Sequence, residues 1–367
     1  MLITNLSLNL LLLVGLILSQ ATLAAETVTV LDRGEPYPSL VAESGVFWVG
    51  RSRENFNANY HLEVYSPNGH MIDSIRLTHS LSSIKKTGNS SIVITGINPT
   101  THLTEYTFAR LDKDRIRIKT TGINVEGFIN FWIGSIGTLH YFADMGGNPN
   151  DNNQNPNLPA QTIFSSAGSN PSYLSARVRM PLAGEINQGK LIIVSSEGMG
   201  LSSGSIIEVD SKTSSTRTLI SSKTAQFRGL EIIPGTNDIV TIAAGENKLV
   251  ILDRSSGEIR RTFPTIGYSR AFNLVGHCAI VGNDETNTVE VFDLKSKDDK
   301  AMMSEKIDLP ANEFHGITQI ATDESTGTIF ARSNFPCNPL IEVCDQDFNR
   351  VVSLGPVFAT KTQNLCK

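Results

Sequence analysis

The sequence predicts an all-β protein, a seven-bladed β-propeller of four-stranded antiparallel blades that is closed by an N-terminal strand. Three observations support this fold class. Similar hairpins recur along the chain with a period of roughly forty to forty-five residues, a length typical of propeller blades. Each repeat reads as four short strands separated by turns. Helical periodicity of the apolar residues is nearly absent.

The segment Arg228–Arg261 shows the repeat most clearly. Its four strands are predicted at Leu230–Ile233, Ile239–Ile242, Leu249–Leu252 and Glu258–Thr262, with turn-forming residues between them. Strands such as LVIL and CAIV are apolar on consecutive residues instead of alternating. That pattern is expected when both faces of a sheet are buried between neighbouring blades.

The third strand of each repeat, with the turn after it, marks the period. These segments are LEVYSPNG at 62, EYTFARLDKD at 105, QTIFSSAGSN at 161, SIIEVDSKTS at 205, LVILDRSSGE at 249, VEVFDLKSKD at 289 and IEVCDQDFN at 341. The corresponding blades are predicted at 38–78, 79–121, 127–181, 185–221, 227–264, 269–310 and 314–355. Seven blades fill the chain, so residues 26–367 are predicted to form a single domain.

The strand Thr27–Leu31 precedes the first repeat and has no neighbouring strand in the sequence. An open ring would leave two sheet edges exposed, and closed propellers avoid this when one terminus completes the blade of the other. We therefore expect Thr27–Leu31 to complete the last blade.

The segment Gly146–Pro159 is rich in Asn, Pro and Gly and is predicted to be a surface loop of the third blade. Asp144 and Asp151 lie in or beside it, but it lacks the spacing, the central Gly and the final Glu of an EF-hand loop. No metal site and no cofactor are predicted.

The chain has 36 acidic and 31 basic residues among 367, for a net charge of −5. No long basic run occurs, which argues against nucleic acid as a partner. Residues 1–25 contain an apolar run from Leu10 to Leu18, too short to span a bilayer and typical of a signal peptide. We expect cleavage near Ala24, a secreted or periplasmic monomer, and no membrane span after removal of the signal. The alternative is an uncleaved N-terminal anchor.

Four cysteines remain: Cys278, Cys337, Cys344 and Cys366. An exported protein can form disulfides, and a bridge from Cys337 to Cys344 near the C-terminus is one candidate. The alternative is that some of the four are free buried thiols, with Cys278 in its apolar run as the best candidate. Their spacing does not suggest a zinc site.

The repeats in the C-terminal half resemble the YVTN-type seven-bladed propeller repeat. The matching segments are LVILDRSSGEIRRTF, VEVFDLKSKD and SIIEVDSKTSSTRTL, and the resemblance extends over the last four blades but is poor over the first three. The tetrapeptide YVTN itself is replaced by IVTI, AIVG and TIFA. The resemblance implies the blade fold. Proteins of this broad group include binding and scaffold proteins, lactonases and dehydrogenase subunits, so it implies no catalytic residue.

A ligand site is predicted where the residues just ahead of each first strand meet around the channel. These residues are Tyr37, His79, Phe128, Arg228, Arg270 and His315. Arg228, Arg270 and His315 come from three successive blades, and two guanidiniums with an imidazole suit a carboxylate or a phosphate. The alternative is structural: the same side chains could bond to neighbouring blades and hold the ring together.

Other candidate residues favour structural roles. Asp210, Asp253 and Asp293 recur after the third strands, where Asp caps its own turn. Trp48 and Trp132, in VFWVG and NFWIG, are predicted to be core residues at equivalent blade positions, with sugar stacking as the alternative.

Acidic residues in the loops between second and third strands could act as acid/base groups or cation ligands. They are Glu197, Glu246, Asp284 and Glu285. No G-x-S-x-G, Walker or dinucleotide-binding pattern occurs.

These observations favour an exported binding or scaffold protein over an enzyme. The expected partner is a small anionic ligand or a protein bound at the loop-rich face. The alternative is a propeller-type lactone hydrolase with a divalent cation in the channel.

Overall fold

The computed structural model of the chain describes residues 27–31, 39–52, 60–88, 90–126, 130–144, 162–178, 181–196, 203–307, 316–333, 351–354 and 356–366. Several sequence predictions lie outside these residues. They are the signal peptide at 1–25, the loop Gly146–Pro159, the strand predicted at 341, and residues Tyr37, Phe128, Glu197, His315, Cys337 and Cys344.

The described residues form seven four-stranded antiparallel sheets, which confirms the predicted fold class. The N-terminal strand β1 (Thr27–Leu31) precedes the first blade. In chain order, blade 1 contains β2 (Ser39–Glu43), β3 (Val46–Ser52), β4 (Tyr60–Tyr65) and β5 (Met71–Leu77); blade 2 contains β6 (Ser83–Gly88), β7 (Ser91–Ile97), β8 (Leu103–Asp112) and β9 (Arg115–Glu126); blade 3 contains β10 (Asn130–Ile136), β11 (Leu139–Asp144), β12 (Thr162–Ser166) and β13 (Pro171–Arg177).

The second half of the ring repeats this arrangement. Blade 4 contains β14 (Pro181–Asn187), β15 (Lys190–Ser196), β16 (Gly204–Asp210) and β17 (Thr216–Ser222); blade 5 contains β18 (Phe227–Ile232), β19 (Asp238–Ala243), β20 (Lys248–Asp253) and β21 (Ile259–Pro264); blade 6 contains β22 (Ser269–Val275), β23 (Cys278–Asn283), β24 (Thr288–Asp293) and β25 (Met303–Lys306); blade 7 contains β26 (Ile317–Thr322), β27 (Ile329–Ser333) and β28 (Val351–Leu354). A 3-10 turn (Ala244–Glu246) follows β19, and a helix, α1 (Pro356–Cys366), follows β28.

The ring is closed as predicted by the N-terminal strand. β1 pairs antiparallel with β28, with Thr27 opposite Leu354 and Thr29 opposite Val352, so it forms the fourth strand of blade 7. The third strand of this blade is Val351–Leu354, which corrects the prediction of a third strand at 341, because β27 pairs with Val351–Leu354. Blade 7 is therefore built from both ends of the chain.

Apolar clusters fill the seven blade junctions. In each cluster of the described residues, side chains of two successive blades pack together; Val240 and Phe263 of blade 5, for example, pack with Phe272 and Phe292 of blade 6. The other six clusters join the remaining neighbouring blades in the same way, including blade 7 with blade 1. The sheet of each blade is thus covered on both faces by its neighbouring blades. This explains why apolar residues follow one another along the strands.

The recurrent aspartates cap hairpins between third and fourth strands, as predicted. Asp253 accepts hydrogen bonds from the backbone N–H groups of Ser255 (2.7 Å) and Ser256 (3.2 Å). Asp210 makes the same contacts with Lys212 and Thr213. These groups stabilise turns, and the described structure gives them no role in a carboxylate cluster.

Two boundary and packing predictions are corrected. The fourth strand of blade 3 ends at Arg177 and not at 181, and the first strand of blade 4 begins at Pro181 and not at 185. Trp48 and Trp132 are both buried, at 1% and 6% exposure, but their positions are not equivalent. Trp48 lies in the second strand of its blade, and Trp132 lies in a first strand.

The prediction of a free thiol at Cys278 is wrong, because Cys278 is bonded to Cys366. The Cα atoms are 5.3 Å apart and the two residues are separated by 88 positions. The bond ties α1 to the second strand of blade 6. Gln363 Nε2 also donates to Ser325 O of blade 7 (3.3 Å), so α1 bridges the last two blades. No helix among the described residues is long and apolar enough to cross a membrane.

Candidate ligand site in the central channel

The first strands of all seven blades line one central cavity of about 490 Å³. This size is typical of small-molecule sites. The lining residues used below are Lys85, Lys86, Glu185, Gly229, Glu231 and Asn273. Charged side chains inside first strands therefore face a shared space, although each comes from a different part of the sequence.

Lys85 is held in a fixed position across the channel. Its Nζ lies 2.7 Å from Glu185 Oε1 and donates to the carbonyl oxygens of Gly184 (2.6 Å) and Ile133 (3.1 Å). Its ammonium also lies 5.8 Å from the ring centroid of Trp132. The ammonium of Lys85 thus contacts two carbonyl oxygens and one carboxylate. Because these partners lie in blades 3 and 4, Lys85 of blade 2 joins the three blades.

Lys86 has a different environment. Its Nζ donates to Thr322 O of blade 7 at 2.8 Å, across the width of blade 1. A carbonyl satisfies one of the three ammonium donors without neutralising the charge. Lys86 therefore contributes positive potential to the cavity.

Glu231 is the carboxyl that faces this charge. It accepts hydrogen bonds from Asn273 Nδ2 (3.2 Å) and from the Leu274 N–H (3.2 Å). Burial raises the pKa of Glu231 to about 7, and the negative charge of Glu185 adds to the rise. The Leu274 N–H and the two lysines oppose the rise but do not cancel it. Near neutral pH, Glu231 is thus partly protonated.

Arg228 lies at the start of β18, one residue before the segment that lines the cavity. A β-bulge follows it, since pairing shifts between Arg228 and Glu231, and Gly229 there has a φ of +62°. A Cβ at Gly229 would lie 2.8 Å from the Phe272 ring, so glycine is required both by conformation and by space. Bulges re-aim side chains beside functional sites.

One nitrogen of the Arg228 side chain is not satisfied. Its Nε is buried and has no hydrogen-bond partner among the described residues. Leaving a buried charged donor unpaired costs on the order of 1–3 kcal/mol. Native proteins keep such groups for a reason, and a bound ligand is one.

Arg270, the equivalent arginine of blade 6, has a partner in its own blade. Its Nε lies 2.7 Å from Asp284 Oδ2, and its guanidinium lies 5.2 Å from the Tyr268 ring centroid. Glu285 accepts a hydrogen bond from the Tyr268 N–H at 3.3 Å. The two acidic loop residues of blade 6 therefore have partners in their own blade: Asp284 pairs with Arg270, and Glu285 with the Tyr268 N–H.

Glu246 also has local partners. It accepts a hydrogen bond from Thr224 Oγ1 at 2.8 Å and lies 3.3 Å from Lys248 Nζ. Its carboxylate thus stabilises the loop between the second and third strands of blade 5.

His79 is fully buried, with 0% exposure. Its Nδ1 lies 2.7 Å from Ser80 O, which can only accept, so Nδ1 carries the proton. Burial lowers the pKa of His79, so the ring is neutral and Nε2 accepts from Thr107 Oγ1 at 2.7 Å. Both nitrogens are used within blade 2, and His79 has no exposed atom to offer a ligand.

The structure thus retains one of the predicted residues as an unsatisfied group and adds residues that sequence reasoning missed. Arg228 and Arg270 occupy adjacent inner strands at the same end of the ring. Lys85, Lys86, Glu185 and Glu231 were missed because the search covered residues ahead of the first strands. Their signal was the presence of charges inside first strands, as in SIKKTG and GLEI.

No group of three or more His, Cys, Asp or Glu side chains suited to a metal ion occurs in the described parts of the chain.

The sequence matches no protein-family profile and no curated protein. The fold is similar to a puromycin hydrolase (TM-score 0.59, 11% identity, 90% of this chain and 53% of that chain) and to Raptor of Chaetomium thermophilum (TM-score 0.59, 11% identity, 88% and 28%). A chain of a nidogen/laminin complex also matches (TM-score 0.48, 14% identity, 74% and 93%). This chain spans about half the length of the hydrolase and just over a quarter of Raptor.

Identities this low show a shared fold only. The fold itself is widespread, with 729 matching solved chains, and a widespread fold does not select a function. The seven-bladed architecture implied by the YVTN resemblance is confirmed, whereas the YVTN type remains a prediction.

Proposed function

We propose that the protein is an exported binding propeller that recognises a small anionic ligand at the Arg228 end of its central channel. The observation that carries the proposal is the buried Nε of Arg228, which lacks a hydrogen-bond partner among the described residues. The Arg228 side chain as a whole is only partly buried. A carboxylate or phosphate that draws its guanidinium into the channel would therefore provide the missing charge-assisted hydrogen bond.

The charges of the cavity support an anion over a cation. Lys85 is neutralised by Glu185, whereas Lys86 contacts a carbonyl. Glu231 is partly protonated near neutral pH because its pKa is raised to about 7. The remaining carboxyl of the lining, Glu324, follows β26 and thus lies at the end of the channel opposite Arg228. At the Arg228 end, a small anion would neutralise the charge of that arginine.

The test is a thermal-shift screen of the mature protein against sugar acids, phosphorylated sugars and acidic dipeptides, followed by calorimetry on any anion that stabilises it. Arg228→Ala is expected to lower affinity by at least about tenfold, as expected for loss of a charge-assisted contact. Arg76→Ala, which removes an exposed arginine on the outer strand of blade 1, is the matched control and should leave affinity unchanged.

An anion that binds both variants equally would contradict the proposal. So would stabilisation by a divalent cation together with turnover of a lactone, because that pair of results would establish the hydrolase alternative.

A further inference from the structure

The β8–β9 hairpin of blade 2 is the longest in the described structure. Its strands have 10 and 12 residues, and no other described strand exceeds seven. The turn between them consists of Lys113 and Asp114, with φ angles of 49° and 61°. This left-handed turn normally uses Asn-Gly, and other residues adopt it at a cost in conformational energy.

The hairpin tip is strongly cationic. The segment from Arg110 to Lys119, ten residues in an acidic chain, contains five basic and two acidic residues, a net charge of +3 against −5 for the whole protein. Arg110 lies directly opposite Arg117 in the strand register, and both are exposed. Like charges directly opposite each other destabilise a sheet.

Side-chain alternation places these cations in one row. Arg110, Arg117 and Lys119 lie on the same face, since Arg110 pairs with Arg117 and Lys119 is two residues farther along β9. Same-face neighbours along a strand are about 6.6–6.8 Å apart. The nearest acid, Asp112, is 3.8 Å from Arg117, and the described residues place no acidic partner within ion-pair distance of Arg110 or Lys119.

This face of the hairpin packs beside blade 3. The Phe108 ring, opposite Lys119 in the register, lies 5.0 Å from the His140 ring. Burial lowers the pKa of His140, and the positive charge of Lys119 lowers it further. Ser135 Oγ lies 2.7 Å from His140 Nδ1. We call the surface formed by Arg110, Arg117, Lys119 and His140 the blade 2–3 cleft.

We propose that the blade 2–3 cleft binds the sulfate esters of a linear sulfated polysaccharide. The opposed guanidiniums offer forked donors to one sulfate, and Lys119 offers a second contact along the strand. A bound polyanion would also relieve the repulsion between Arg110 and Arg117. This surface lies on the hairpin between third and fourth strands, opposite the Arg228 end of the channel, so the proposal is independent of the proposed function.

A polysaccharide fits the row better than a nucleic acid does. Single-stranded nucleic acids are bound by exposed aromatic side chains on which bases stack. The aromatic residue of this row, Phe108, packs against His140 and is not free to stack. The net negative charge of the whole chain also disfavours duplex DNA, whose binding depends on many phosphate contacts.

The experiment is surface plasmon resonance of the mature protein on immobilised heparin, at several salt concentrations. Wild type is expected to bind heparin and to lose binding on a chemically desulfated heparin surface. The double variant Arg110→Ala/Lys119→Ala is expected to bind at least about tenfold more weakly, and with a shallower salt dependence, because fewer counterions are released. Its melting temperature, measured in parallel, should not fall below that of wild type, because both side chains are exposed and the substitution removes the repulsion between Arg110 and Arg117.

The matched control is Lys212→Ala/Lys223→Ala, which removes the same charge from exposed positions of blade 4 and its exit. It is expected to keep wild-type binding. Equal losses in the two double variants, binding that survives desulfation, no heparin binding by wild type, or equal binding to a duplex DNA surface would each overturn the proposal. Arg228→Ala should not change heparin binding, so this result and the test of the channel can fail separately.

Discussion

At the residue scale, the central channel shows how environment decides the behaviour of chemically identical groups. Glu185 and Glu231 both lie on first strands and face the same cavity. The Glu185 carboxylate lies 2.7 Å from the Lys85 ammonium. The Glu231 carboxyl is buried and accepts hydrogen bonds from the Asn273 side-chain amide and the Leu274 backbone N–H. For Glu231 the effect of burial prevails and raises the pKa to about 7.

This shift predicts a pH-dependent stability. Folded Glu231 keeps its proton up to about pH 7, while the unfolded chain releases it near 4.5. The unfolded state therefore binds fewer protons between these values, and the free energy of unfolding falls as the pH rises through this window. Above about pH 7 the penalty is complete and reaches roughly 3 kcal/mol.

Urea unfolding at pH 5 and pH 8 measures the effect. Glu231→Gln removes the carboxyl and should be increasingly stabilised, relative to wild type, as the pH rises. Glu258→Gln, which removes an exposed carboxyl of the same blade, is the control. Parallel pH profiles for wild type and Glu231→Gln would show that burial does not perturb this group.

At the scale of single elements, α1 cross-links blades 6 and 7, in addition to the closure of the ring by β1. It follows β28 directly, bonds to blade 6 through Cys278–Cys366, and contacts the blade 7 hairpin through Gln363. A Cβ at Gly276 would lie 2.1 Å from Cys366 O, so the turn between β22 and β23 needs glycine for the helix end to approach. The helix therefore holds blade 7, which the N-terminal strand also completes, against blade 6.

Removal of the Cys278–Cys366 disulfide is expected to lower the stability of the protein. The cross-link encloses 88 positions, and a loop of this length stabilises a fold by about 4–5 kcal/mol in the chain-entropy model. The variant Cys278→Ser/Cys366→Ser should therefore melt at a lower temperature than the oxidised wild type. The measurement is calorimetry with and without a reductant.

Cys337 and Cys344 remain in the double variant, so any reductant effect that persists there comes from those residues. Mass spectrometry of the non-reduced protein provides an independent check. Free thiols at both Cys278 and Cys366 would contradict the bridge.

At the scale of the whole molecule, the ring depends on five residues from one end of the chain. β1 supplies the fourth strand of blade 7, and without it the edge of β28 would be exposed. Neighbouring blades share apolar clusters, so loosening one blade removes packing from two junctions. The ring is expected to behave as one cooperative unit.

Deletion of residues 26–31 from a protein expressed as residues 26–367 should lower the melting temperature by several degrees and promote aggregation through the exposed edge. A synthetic peptide of residues 26–33, added in excess, should restore the melting temperature by pairing with Val351–Leu354, since a ligand of the folded state stabilises it. A scrambled peptide of the same composition is the control. A truncated protein that melts like the full-length protein would show that β1 does not close the ring.

Much of the fold was predictable because it follows from local chemistry. Asp210 and Asp253 indicate hairpins in the sequence, because each carboxylate accepts hydrogen bonds from the N–H groups two and three residues later. The run CAIV indicates a strand buried on both faces wherever it lies in the ring. The candidate site was predictable only in part, because Arg228 stands at the start of a strand, while its unsatisfied Nε depends on the packing around it.

The sequence by itself determined the repeat, the number of blades and the closure by Thr27–Leu31, since these depend on periodicity and on the need to cover sheet edges. Only the tertiary structure decided that Cys278 meets Cys366, that Trp48 and Trp132 occupy different strands, and that Lys86 faces Glu231. Those contacts join residues far apart in the chain. Their geometry is set by how seven sheets pack around one channel, and no local pattern encodes that packing.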